Sequence, residues 1–78
     1  MPFSDTERKR MLEVKFVGNT VIQRLEEMGF SKLTELHDET ASALTLRISR
    51  HIGSTCWHNS PQARASIQGL IDLARQRE

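Results

Sequence analysis

Apolar residues recur along this chain at intervals of three and four, and no stretch sustains an apolar–polar alternation, so the pattern predicts helices and no sheet. Val21, Leu25 and Met28 form one stripe with Ile22 beside it. This predicts a helix from about Asn19 or Thr20 to Met28, closed by Gly29 as a C-terminal cap. Ala41, Leu44, Ile48 and Ile52 repeat the spacing ahead of Gly53, with Asp38 as the expected N-cap and Arg47 and Arg50 on the opposite side. Ser60-Pro61 is the strongest helix start in the chain. Beyond it Ala63, Ile67, Leu70, Ile71 and Ala74 define a buried face, while Arg64, Gln68, Arg75 and Arg77 turn outward. Gly69, in the middle of that helix, marks a close contact.

Two shorter helices complete the pattern. Ser4-Asp5-Thr6-Glu7 has the form of a capping box and predicts a first helix, with Glu7, Arg8, Lys9 and Arg10 exposed and Met11, Leu12 and Val14 returning to the core. The Arg8-Lys9-Arg10 run reads first as a solvated helix face and second as a phosphate contact. Phe30 follows Gly29 and is expected to pack back over the helix end, and Ser31 is expected to cap a short connector helix over 32–36. The expected fold is all-α: five short helices whose core includes Leu25, Phe30, Leu36, Leu44, Ile48, Ile67, Leu70 and Ile71. Residues 54–59, carrying Cys56, Trp57 and His58, read as a loop.

Seventy-eight residues allow one domain, 1–78, with little surplus core. The apolar share of 37% and charged share of 27% are those of an ordinary globular chain. No apolar run is long enough for a bilayer, and the start lacks the order of a signal peptide, so a cytoplasmic protein with no membrane partner is expected. A lone Cys56 forms no internal disulfide, which fits a reducing compartment. The net charge of +1 argues against a broad electrostatic grip on nucleic acid, and any DNA binding has to be local.

Chemistry-bearing residues are sparse. One cysteine with scattered His37, His51 and His58 falls short of a zinc site, so no metal is expected, and Cys56 with His58 gives no assurance of a nucleophile and its base. Glu26, Glu27, Glu35, Asp38 and Glu39 are spread over helix surfaces and read as solubilising. No catalytic residue is assigned, and the chain is not expected to be an enzyme. Trp57 is expected to be mostly buried, with Cys56 beside it as a small apolar residue.

The segment Val14 to Leu25 stands apart. Val14, Phe16 and Gly18 alternate as an apolar hairpin, and Gly18, free to take positive φ, opens an amphipathic helix whose first N–H groups can receive an anion. This segment resembles the helix-hairpin-helix element of DNA-binding proteins, a Leu-Pro-Gly-hydrophobic-Gly pattern followed by a helix. Val14, Val17, Gly18, Ile22 and Leu25 fit it, while Lys15 and Phe16 stand where proline and the first glycine are usual. The order of helices then resembles a tandem pair of such units, a layout shared with sterile-alpha-motif-like domains. The second unit is degenerate, because a longer tryptophan-bearing loop separates Gly53 from Pro61.

The resemblance implies a non-catalytic module that binds DNA without regard to sequence. The phosphate donors would be the backbone N–H groups of Gly18, Asn19 and Thr20, with local charge from Lys15 and from Arg24. It implies no cofactor beyond a monovalent cation on the carbonyls of Leu12, Val14 and Val17, against which the replacement of glycine by Phe16 counts. Two alternatives stand beside it. Gly18 reads alternatively as part of a tight turn between packed helices, and the near-neutral charge suits a module that binds a protein partner through its helix ends.

Overall fold

A computed structural model of the chain describes residues 3–53 and 56–76; the side chain of Cys56, and with it the expectation of its burial, lies outside the described residues. The fold is all-α, with no strand among the described residues. Helix α1 spans Asp5–Leu12, α2 Asn19–Glu27, α3 Ala41–Ile52, α4 Cys56–Asn59 and α5 Pro61–Gln76, and a 3-10 turn covers Leu33–Leu36 between α2 and α3. Residues 56–59, expected as loop, form the short α4.

The eight expected core residues, Leu25, Phe30, Leu36, Leu44, Ile48, Ile67, Leu70 and Ile71, are all buried in one cluster, which also takes in Phe3, Met11, Val17, Val21, Ile22, Leu33 and Ala74. Helix α5 packs on α3, on α4 and on the 3-10 turn. Trp57 is half-buried against the cluster, less than expected, because the four-residue α4 lies at its edge. Leu12 leaves the core altogether and is 40% exposed: α1 ends there, so the turn that follows carries Val14 inward in its place.

The helix ends obey local chemistry, with three adjustments. Helix α2 ends as the glycine predicts. Gly29 takes φ 98° and donates to the Glu26 carbonyl, Phe30 donates to the Leu25 carbonyl, and the Phe30 ring is buried over the helix end. The 3-10 turn, however, is not capped by the Ser31 hydroxyl. The Glu35 carboxylate instead accepts from the backbone N–H of Ser31 at 2.7 Å and of Lys32 at 2.8 Å, which holds its pKa below the usual carboxylate range. Helix α3 starts two residues later than expected, because the turn continues through Glu39, whose N–H donates to Leu36, and the backbone first becomes extended at Thr40. The Thr40 hydroxyl, not Asp38, accepts from Ala43 N–H.

Surface carboxylates act as fastenings. Glu26 accepts from Phe3 N–H at 3.0 Å and from the Arg8 guanidinium at 2.6 Å, tying the start of the chain and α1 to α2. Glu7 does not close the capping box on Ser4. Ser4 accepts from Glu7 N–H, but the Glu7 carboxylate reaches Leu33 N–H in the connector. Glu7 and Arg8 are therefore half-buried structural contacts and only part of the run, Lys9, is freely solvated.

Candidate nucleic-acid interface

The hairpin between α1 and α2 is a tight turn and not an extended alternation. Val17 N–H donates to the Val14 carbonyl at 3.1 Å, which closes a four-residue turn with Lys15 and Phe16 at its centre. Its third residue, Phe16, has φ 69°, the left-handed conformation that such a position normally reserves for glycine. The resemblance put the first glycine of the hairpin here. The backbone keeps the glycine-like shape although the side chain is phenylalanine. Gly18, by contrast, is extended, with φ −125° and ψ −175°, so it needs no positive φ, and a Cβ placed there would meet nothing within 4 Å.

Why the turn can hold this shape is visible on both sides of it. Val17 is buried in the core and Val14 is half-buried against it, so two valines anchor the ends while Lys15 and Phe16 face water. The Val14 methyl presses on α5 at Gly69, where a Cβ would come within 2.5 Å of Val14 Cγ1. The close contact marked by Gly69 thus lies between α5 and the hairpin, and it fixes the height of the turn.

Beyond the turn, α2 begins with no side-chain cap. Ser4, Thr40 and Ser60 each supply a hydroxyl that accepts an N–H three residues on, at the starts of α1, α3 and α5. Gly18 has no such group to give. Gly18, Asn19 and Thr20 are all exposed, so the first N–H groups of α2 open to solvent with the positive end of the helix dipole behind them.

The charges assigned to this site divide. Lys15 is exposed at the turn, its ammonium 5.2 Å from the centre of the Phe16 ring. Arg24 lies further along α2 and is half-buried. Its guanidinium donates to both carboxylate oxygens of Glu27, at 3.2 and 3.1 Å, and the same carboxylate meets His51 Nε2 at 3.1 Å. Desolvation pushes the Glu27 pKa up, but the hydrogen bonds from His51 and Arg24 outweigh it and the pKa settles below the ordinary carboxylate value. Lys15, Gly18, Asn19 and Thr20 are thus all exposed within one short segment, whereas Arg24 is committed to a link between α2 and α3. Of the carbonyls named for a cation, that of Val14 already accepts the turn hydrogen bond.

Phe16 is 48% exposed, which the apolar pattern of the hairpin did not predict. The signal was present, since an aromatic residue where a turn wants glycine has nowhere inward to point.

No family model matches the chain, and no curated protein or solved structure resembles it significantly. Among the described residues no group of three metal-ligating side chains comes together, and no helix is long and apolar enough to cross a membrane.

Proposed function

We propose that this chain is a non-catalytic DNA-binding module of helix-hairpin-helix type, holding backbone phosphate on the hairpin and the first turn of α2 without reading base edges. The observation that carries the reading is the uncapped start of α2. Of the four helices longer than one turn, it alone has no side-chain cap on its first N–H groups, and it starts next to an exposed lysine. A phosphate oxygen satisfies those donors and meets the helix dipole and the Lys15 ammonium together. Phosphate contacts of this kind position a protein on DNA and carry no sequence information, in keeping with a site made of backbone. With a net charge of +1, affinity is modest and confined to this end of the molecule.

A titration of DNA against the isolated chain across a range of low salt concentrations tests the reading. Lys15→Ala is expected to lower the slope of log affinity against log salt by about one unit, for one lost phosphate contact. Arg24→Ala is expected to change the slope less, because its charge is already matched by Glu27. Absence of any salt-dependent affinity in a folded wild-type chain would sink the proposal. It would transfer the site to the second reading, a protein-interaction module of sterile-alpha-motif-like layout, which the near-neutral charge and the exposed Leu12 and Phe16 favour.

A further inference from the structure

We infer that Phe16 is a stacking platform for an unpaired nucleobase, so that the module prefers single-stranded or locally unpaired DNA to intact duplex. The inference rests on the DNA reading above and deepens it by naming the structure of the nucleic acid. Three observations meet at one place. The Phe16 ring is the most exposed large apolar side chain of the described residues, in a domain small enough to need its aromatic residues inside. It is held out by a turn whose ends, Val14 and Val17, are anchored, so the ring is presented and not merely loose. The Lys15 ammonium lies 5.2 Å from its centre, which places a cation at the aromatic surface itself.

The occupant that matches is one carrying a flat π face and a negative charge within a few ångströms of each other. Phe16 is two residues from Gly18, within roughly 7 Å along the chain, and so within reach of the open N–H groups of α2. A nucleotide with its base turned out offers that pairing: the base stacks on Phe16 while its phosphate lies against Lys15 and the start of α2. Duplex DNA can offer only the phosphate, because its bases are stacked on one another. Glu13, the carboxylate of this segment, sits at the α1 side of the turn, before Val14, and is solvent-exposed, so it tempers the charge without occupying the ring.

The test measures the affinity of the full chain for a short oligothymidine strand and for a duplex of equal length, at one low salt concentration, by anisotropy of labelled DNA. The wild-type chain is expected to bind the single strand more tightly. Phe16→Gly, which suits φ 69° and is expected to melt no lower than wild type, should lose about tenfold or more of the single-strand affinity, the scale of one stacked base, while duplex affinity stays the same. Phe16→Leu should lose as much, and Phe16→Trp should retain the preference, which separates stacking from general apolar contact. Equal loss for both DNA forms, or none for either, overturns the inference and leaves the phosphate site standing. No binding to either form by the folded wild-type chain overturns both. A concentration-dependent dimer that Phe16→Gly dissolves overturns the inference in favour of a second copy as the occupant of the ring.

Discussion

The molecule contains two helix–turn–helix halves, α1 to α2 and α3 through α4 to α5, and they treat their connections in opposite ways. In the second half most of the described capping groups are used internally, although His58 Nδ1 is buried without a partner. Gly53 takes φ 69° without strain, the buried Ser49 hydroxyl accepts from His58 N–H at 2.9 Å, Ser60 caps α5, and Trp57 packs against the core. In the first half the positive φ falls on a phenylalanine, the following helix has no cap, and two large apolar side chains face water. Each of these costs stability, and together they occupy one short segment. A chain that closes one connection and leaves the other open by several independent departures has its candidate site at the open one.

The largest expected effect lies at the seam between the halves. Gly69→Val drives side-chain atoms into Val14 and is expected to destabilise by about 2 kcal/mol, the middle of the range for overpacking. Urea denaturation checks it. Val14→Ala should restore most of the loss, and failure to do so would mean that the hairpin does not rest on α5. The next effect lies wholly in the closed half. Ser60→Ala removes the cap of α5 and should cost about 1 kcal/mol in the same assay, with DNA affinity unchanged. Loss of affinity there would blur the division between the halves. The smallest effect sharpens it: Gly18→Asp supplies the cap that α2 lacks, in an extended backbone with open space for the side chain. It should stabilise by a few tenths of a kcal/mol, roughly the difference between glycine and aspartate at this position, and weaken DNA binding several-fold by placing a carboxylate where phosphate belongs. A variant that gained both stability and affinity would count against the phosphate site.

The helices and the core were legible in the sequence because helix periodicity and end signals are local. Gly29, Gly53 and Ser60-Pro61 end or begin helices through contacts within a few residues, and each does so here as expected. Less was legible wherever a side chain chose a distant partner over a near one. Glu7 looked like half of a capping box but bonds to Leu33, Arg24 looked free but lies on Glu27 with His51 beside it, and Glu26 looked solvated but fastens Phe3 and Arg8. Buried Thr45 and Ser66 were missed for a different reason. Each hydroxyl donates to a carbonyl of its own helix, at 2.8 and 2.7 Å, so a polar residue passes into the core at little cost. At the candidate site, Lys15, Gly18, Asn19 and Thr20 lie close together by sequence adjacency, and all four are exposed. The positive φ was expected at Gly18, where the residue type permits it, and occurs at Phe16, where the turn demands it.

The contact between Val14 and Gly69 joins residues near opposite ends of the chain. During synthesis the hairpin leaves the ribosome long before the helix it leans on, and has no surface to seat Val14 until α5 follows. Its seat on α5 is then among the last contacts the nascent chain can form.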